Sequence, residues 1–383
     1  MKSLQQFADN KNIDSFRDLF PITRKAIYLN HAGTGPMSVR AENAIKECIE
    51  VYKNQAEFDF DNYFTILKKS REIFAKLINA EPEEIAFTHN TSEGIFIALI
   101  NLPLKENDEI IIMSEVFPAI RYVVEYNLPT INKRFISFKN KDPIELLKRN
   151  LTERTRAVVI DHTQFYTGEM YNLLSISEFL QKEEIFFVVD AIQSVGVIEC
   201  DTKKLSIDFL ASGGGKWLFG PGGIGFLYVN KRNFNKLKKL HTGWLGANWQ
   251  SFENFDISPP LYNDARMFEQ GTRNVIGIRG LTEHIKILLE FGTKNVEGRV
   301  LYLKDRLRQE FKNLGFPIIT PDTGSQSGII TIKPENAHQI FDYLKQNNVI
   351  ISLRNKCLRF SPHFYNTEEE IECVLKLLSK FAK

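Results

Sequence analysis

The sequence predicts an α/β protein: a mostly parallel sheet of the seven-stranded type, covered by helices and followed by a smaller C-terminal α+β domain. Three observations carry this. Apolar runs of four or five residues recur with helical segments between them, among them EIIIM (109–113), RAVVI (156–160) and IFFVV (185–189). Continuous apolar strands are buried on both faces, as in parallel sheets whose crossover helices cover them. Polar residues stand at the carboxyl ends of these runs, where ligands bind in such sheets. Beyond residue 270, a long helical stretch gives way to short strands alternating with helices.

Taken in order, residues 1–20 read as a short amphipathic arm packing with the small domain, residues 21–270 as the large domain and residues 271–383 as the small one. AIYLNHAGTGP (26–36) is a few strand residues and then a turn carrying Asn30 and His31, both candidates for contact with a substrate. A histidine hydrogen-bonded within a tight turn is the alternative for His31. Ile45, Cys48, Ile49 and Tyr52 follow helical spacing within 38–58, and Leu67, Phe74, Leu77 and Ile78 do so within 63–78. IAFT (85–88) reads as a strand that runs through Asn90, Thr91 and Ser92 into an apolar helix ending near Leu102. Free N–H groups and hydroxyls there suit an anion at the positive end of the helix dipole. An ordinary N-cap needs only one of the three residues.

The rhythm then becomes regular. Strands at 109–113, 134–138, 156–160 and 185–189 alternate with helices at 116–126, 143–150 and 175–182. Their tips place Phe117, Gln164, Asp190 and Gln193 where a ligand would lie. Residues 231–270 are loop-rich and read as a lid or subunit contact, and a helical stretch runs from FEQGTRN (268–274) to about Leu314. Strands at 317–320, 328–333, 349–353 and 358–361, with helices at 337–346 and 368–381, complete the small domain. Arg359 lies in its last strand beside a Pro-His turn, a place suited to a bidentate carboxylate clamp or to a surface salt bridge.

Composition narrows the function classes. The chain has 383 residues, 43% apolar and 25% charged, with a formal net charge of +2, as in a globular enzyme. No basic stripe interleaved with aromatics points to nucleic acid, and no apolar run reaches the ~20 residues of a membrane span. The polar N-terminus lacks a secretory pattern, and the four cysteines form no CxxC pair; no metal is expected and a reducing cytoplasm is.

The stretch DFLASGGGKWLFGPGGIGFLYV (208–229) sets Lys216 after three glycines, on a loop between two apolar strands. A Walker A loop is excluded, because Leu210 stands at its first glycine and Trp217 follows the lysine. Gly220, Gly222 and Gly225 match GxGxxG but run into a strand rather than opening a helix. A third reading is a lysine that forms a Schiff base with pyridoxal phosphate, and an ordinary surface-loop lysine is its alternative. A partly dehydrated amine loses its proton more readily, as attack on a carbonyl requires. Asp190 ends the preceding strand, 26 residues upstream, and is either a helix N-cap or the carboxylate that keeps a pyridine nitrogen protonated.

At this point the chain resembles the class V aminotransferases, a branch of the fold-type I pyridoxal-phosphate enzymes that includes cysteine desulfurases and isopenicillin N epimerase. The carriers are YLNHAGTGP (28–36), FTHNTSEG (87–94), SEVFPA (114–119), HTQFYTGEM (162–170), VVDAIQSVG (188–196), SGGGKWLFGPGGIGFLYV (212–229), FEQGTRNV (268–275) and LRFSPHFYNTEEEI (358–371). The resemblance implies that Lys216 is the Schiff-base lysine and Asp190 the pyridinium partner. It also implies that Gln193 faces the phenolate oxygen and that Phe117 stacks on the ring. Gln164 is placed with the cofactor. Thr91 and Ser92 would hold the phosphate, with Thr272 reaching across from a second subunit of a homodimer, and Arg359 would bind the substrate α-carboxylate.

Four departures qualify this. Gly215 stands where relatives usually have a phosphate-contacting histidine, and Gly213 where Asp or Ser is common. Glu169-Met170 stands where relatives often carry an arginine, so recognition of a second substrate carboxylate is not expected. The stretch Ile351–Lys356 leaves little room for a mobile cysteine loop, so Cys357 is not expected to carry a persulfide. The resulting expectation is an enzyme acting on a small amino acid or amine, with transamination first and epimerisation or C–S/β-elimination as alternatives. A non-catalytic relative serving as a binding or scaffold protein draws on Gly213 and Gly215 and is opposed by Lys216, Asp190 and Arg359.

Overall fold

A computed structural model describes residues 13–55, 60–139, 141–249, 258–322 and 326–382. In chain order the elements are α1 (Ile13–Arg17), β1 (Ile27–Tyr28), α2 (Val39–Gln55), α3 (Phe60–Leu77), β2 (Ile85–Thr88), α4 (Thr91–Asn101), β3 (Glu109–Met113) and α5 (Pro118–Asn127). They continue with β4 (Asn132–Ile136), α6 (Pro143–Asn150), β5 (Thr155–Asp161), α7 (Leu173–Lys182), β6 (Phe186–Asp190), β7 (Phe209–Gly213) and β8 (Gly225–Val229). The last are α8 (Val275–Phe291), α9 (Thr293–Asn313), β9 (Ile330–Ile332), α10 (Ala337–Gln346), β10 (Val349–Ile350), β11 (Ser352–Arg354), β12 (Cys357–Phe360) and α11 (Glu368–Leu378).

Seven strands form one sheet in the order β2-β8-β7-β6-β5-β3-β4. Only β8 runs against its neighbours; β7, β6, β5, β3 and β4 pair in parallel. The expected α/β class holds, for the expected reason. All five residues of β3, β7 and β8 are buried, so both faces are covered and the runs read as unbroken hydrophobic stretches. Asp161 and Asp190 end β5 and β6, and the lysine loop connects β7 to β8, so the carboxyl ends of adjacent strands gather on one edge of the sheet.

The edge strand β2 is sealed by a buried ion pair. Arg71 of α3 contacts Glu269 at 2.7 Å, donates to the Ile85 carbonyl, and leaves Glu269 to accept the Phe87 amide at 2.8 Å. These contacts satisfy backbone groups that an open sheet edge would expose, and they fix the segment that leads to Thr272.

The helical stretch expected to end near Leu314 is two helices, α8 and α9, broken at Gly292, whose φ of +94° lies outside the range side-chain-bearing residues favour. The two hydrophobic cores divide further along the chain than the proposed domain boundary at residue 271. Helix α8 buries a broad apolar face, with Arg279, Glu283, Lys286 and Glu290 along the other; it packs on α2 and α3 and belongs to the larger hydrophobic core with Val296 and Val300. The smaller core begins at Leu303 within α9 and also takes in Leu29, because β1 pairs in parallel with β10. Residues 1–12 of the expected arm lie outside the described residues; Arg17 of α1 contacts Glu370 at 2.6 Å and donates to the Tyr365 carbonyl. The expected strand at 317–320 is a single bridge between Ile318 and Ile332. Among the described residues, no helix is long and apolar enough to cross a membrane.

Candidate active site

The lysine loop is held by its own backbone. Gly214 donates to the Ile224 carbonyl, Gly220 to that of Gly214, and Phe219 to that of Lys216, at 2.8, 2.8 and 2.9 Å. Gly35 donates to the Gly215 carbonyl at 2.9 Å and lies so close that a Cβ on it would sit 2.2 Å from the Lys216 carbonyl oxygen. That close approach requires glycine at 35 and joins the AGTGP turn to the lysine. Phe219 takes a left-handed φ of +58°, and its ring is packed 4.4 Å from His363 and 4.9 Å from Phe20.

The Lys216 amine lies 5.6 Å from the centre of the Phe117 ring and has no hydrogen-bond partner among the described residues. Burial lowers its pKa to about 8; Asp190 and Asp161 oppose the shift while Arg359 and Arg354 add to it. Asp190 accepts the Ile192 amide at 2.9 Å through one oxygen, leaving the other without a partner among the described residues. Burial raises its pKa to about 6, so it is ionised at neutral pH.

Asp161 opens one of the strand tips where a ligand was expected but was given no role from the sequence, although it ends an apolar strand just as Asp190 does. It is paired in register with Asp190, accepts the Phe117 amide at 2.9 Å, and leaves its other oxygen buried and unpartnered. Burial first, and the Asp190 charge second, raise its pKa well above the ordinary value.

Arg359 is 2% exposed, donates to the Phe165 carbonyl at 2.6 Å and to Ser352 Oγ at 3.3 Å, and has no acidic partner among the described residues. Its Nε is buried without an acceptor. A guanidinium so enclosed is short of the anion that would balance it. Asn30 joins this group at one remove, through a short hydrogen bond to Ser352 Oγ.

Three of the expected contacts have partners within the chain. His31 is fully buried, with Nδ1 on the Ser361 carbonyl at 2.8 Å and Nε2 on the Tyr365 hydroxyl at 2.7 Å, so both ring nitrogens are engaged, as in the alternative of a hydrogen-bonded turn histidine. Gln164 Oε1 accepts from the Tyr166 and Thr167 amides and the Thr167 hydroxyl, and its Nε2 donates one hydrogen to the Glu115 carbonyl and keeps one. Gln193 accepts the Trp217 indole N–H at 2.9 Å and donates one amide hydrogen to the Ala32 carbonyl, leaving one hydrogen for a ligand.

At the start of α4, Asn90 is the N-cap and accepts the Glu93 amide, so the first-turn amides of Thr91 and Ser92 have no acceptor in the helix. Thr91 Oγ accepts the Gly213 amide at 2.9 Å and keeps its own proton to donate. A Cβ on Gly213 would lie 3.2 Å from Thr91 Oγ and 3.3 Å from Ile192 Cδ1, whereas one on Gly215 would meet nothing nearer than 3.8 Å. Gly213 is therefore confined by packing, and the position before the lysine has room for a side chain. Thr272 is exposed.

The sheet, with a dehydrated lysine and an ionised aspartate at adjacent strand tips, defines a fold-type I pyridoxal-phosphate enzyme. A family model described as aminotransferase class-V matches residues 27–374, and the chain belongs to that family. It is 26% identical over 361 residues to an uncharacterized aminotransferase, YcbU, of Bacillus subtilis, covering 94% of this chain and 95% of that one. It is 27% identical to a probable cysteine desulfurase of Pyrococcus abyssi, covering 97% and 98% respectively. The apo structure of a cysteine desulfurase from Thermococcus onnurineus superposes with a TM-score of 0.85 at 22% identity, covering 96% of this chain and 98% of that one.

The cofactor is pyridoxal 5′-phosphate. The residues present fit it: an amine without a partner, a carboxylate oxygen left open, hydroxyls and free amides at a helix start, and orphaned polar atoms on Asp161 and Arg359.

Proposed function

We propose that the chain acts on an α-amino acid and that its net reaction is transamination. The observation that supports this most is the pairing of a dehydrated Lys216 amine with a buried Arg359 that lacks a counter-ion. Arg359 holds the substrate α-carboxylate by charge-assisted hydrogen bonds, with Ser352 and Asn30 fixing the guanidinium. Lys216, whose pKa lies near neutrality, takes the proton from substrate Cα and returns one. Asp190 supplies a fixed negative charge to the ring nitrogen. Phe117 offers a ring face, and Thr91, Ser92 and the α4 amides take the phosphate. Pyridoxal phosphate supplies the electron sink for the pair left when a bond at Cα breaks. Thr272 completes the phosphate site from the second subunit of a homodimer, and the four unpaired cysteines accord with a reducing cytoplasm.

A second reading, β-elimination at a C–S bond, is favoured by the likeness to chains named probable cysteine desulfurases. It would run without a protein persulfide. Cys357 is fully buried with Sγ 2.8 Å from the Tyr166 hydroxyl, and the turn before it is only Asn355-Lys356, both with positive φ.

Product analysis separates the two. Holoenzyme is incubated with a panel of amino acids, with and without an added 2-oxo acid. Transamination requires that acceptor for more than one turnover and releases no ammonia. Continued ammonia release without acceptor would overturn it in favour of elimination.

A further inference from the structure

The hairpin β11–β12 has two chemically distinct faces. Ser352 pairs with Arg359, Leu353 with Leu358, and Arg354 with Cys357. Directly opposed residues share a face, and faces alternate along each strand. Leu358 lies in the smaller core with Leu353 packed against it, so that face turns inward to the small unit. The other face carries Ser352, Arg354, Cys357 and Arg359. It packs against the loop that follows β5: Arg359 donates to the Phe165 carbonyl, and Cys357 contacts the Tyr166 hydroxyl.

Three of the four residues on this face have partners. Arg354, beside the turn of the hairpin, is exposed and has no hydrogen bond or acidic partner among the described residues. It lies diagonally across the hairpin from Arg359 on the same face, and its charge adds to the lowering of the Lys216 and Arg359 pKa values that burial begins. The tight Asn355-Lys356 turn fixes its place on the strand. Two arginines two strand positions apart across one hairpin, neither with an acid, make a site with an excess of positive charge. An α-carboxylate accounts for only one of them.

We infer that the substrate carries a second anionic group, and that Arg354 binds it while Arg359 holds the α-carboxylate. The chemical class is an α-amino acid whose side chain ends in a carboxylate or a comparable oxyanion. This rests on the reading of Arg359 given above and extends it. The loop after β5 carries Glu169-Met170 and no arginine; against the expectation drawn from it, the hairpin holds two.

The test uses coloured holoenzyme and simple anions rather than an unidentified substrate. Unbranched dicarboxylates from malonate to adipate are compared with monocarboxylates of equal carbon number, by calorimetry and by the shift in cofactor absorbance. At one chain length the dicarboxylate binds about tenfold tighter or more, as an added charge-assisted contact gives. Arg354→Gln removes that advantage while leaving monocarboxylate affinity within about twofold, and Arg354→Lys keeps part of it. Equal binding of mono- and dicarboxylates at every length overturns the inference. So does an advantage that survives Arg354→Gln, or a loss in that variant common to both ligand classes. Protein that binds no cofactor through Lys216 would instead sink the reading beneath it, which separates the two failures.

Discussion

Asp161 and Asp190 stand side by side at the ends of adjacent parallel strands, two buried carboxyl groups paired in register beneath one lysine. Two adjacent carboxylates cannot both ionise freely out of water. Asp190, with its pKa raised only to about 6 and Lys216 favouring its charge, carries the negative charge; Asp161 keeps its proton. Asp161 then acts on the site by holding the Phe117 amide, which makes it a positioning residue.

A carboxyl whose folded-state pKa is raised adds stability that is fully present below about pH 4 and is lost as pH rises toward the folded value. Asp161→Asn removes this titration while keeping an acceptor for Phe117. The variant therefore gains on the wild type with rising pH, by up to about 1 kcal/mol per pH unit. Thermal unfolding at pH 5 and pH 8 measures it; a stability difference that stays constant between the two contradicts a protonated Asp161.

Buried histidines act with the opposite sign. Burial lowers the pKa of His31 and His284 to about 3 and of His162 to about 4, and that of His363 well below its usual value. The unfolded chain binds these protons first, so stability is full above about pH 6.5 and falls with pH below it, by roughly 1 kcal/mol per pH unit for each histidine. His284 accepts the Ser38 amide at 2.9 Å, a bond a glutamine oxygen can replace. His284→Gln should flatten the acid limb of denaturant unfolding measured from pH 6.5 to 4. An unchanged slope would place the acid sensitivity elsewhere.

Glu269 is the sole acid paired with buried Arg71 among the described residues, and it also accepts the Phe87 amide. Glu269→Ala leaves a buried guanidinium uncompensated, a loss of about 3–5 kcal/mol. Because Glu269 anchors the segment leading to Thr272, cofactor affinity should fall as well. Chemical denaturation and a spectral titration with pyridoxal phosphate read the two effects; stability within about 1 kcal/mol of wild type would remove the pair from the account.

The two glycines before the lysine should respond differently. Gly215 has open space at its Cβ position and Gly213 is hemmed in by Thr91 and Ile192. Gly215→His should tighten cofactor binding several-fold, the worth of about one added hydrogen bond, whereas Gly213→Ser should weaken it by displacing Thr91. Spectral titration of apoprotein decides both, and equal effects at the two positions would refute the distinction.

What the sequence disclosed follows from how local each signal is. The placing of Lys216 on a loop and of Asp190 at a strand end was legible because strand ends, loop composition and spacing all lie within short stretches. The class of fold was legible because double-sided burial writes itself as continuous apolar runs. The sequence left two readings of His31 open because its partners, Ser361 and Tyr365, lie more than 300 residues away. The turn bonds of Gln164 were not legible because a polar side chain at a strand tip serves its own turn as readily as a ligand. Arg354 gave no signal, since only the pairing of Ser352 with Arg359 shows which face of the hairpin it shares. The change of core within α9 was hidden because one helix, α9, supplies residues to both cores.

The account turns on one covalent attachment. Holoenzyme reduced with borohydride and digested with protease should carry the pyridoxyl label on the peptide containing Lys216, and Lys216→Ala should carry none. A label recovered on any other lysine, or undiminished labelling in that variant, would contradict it.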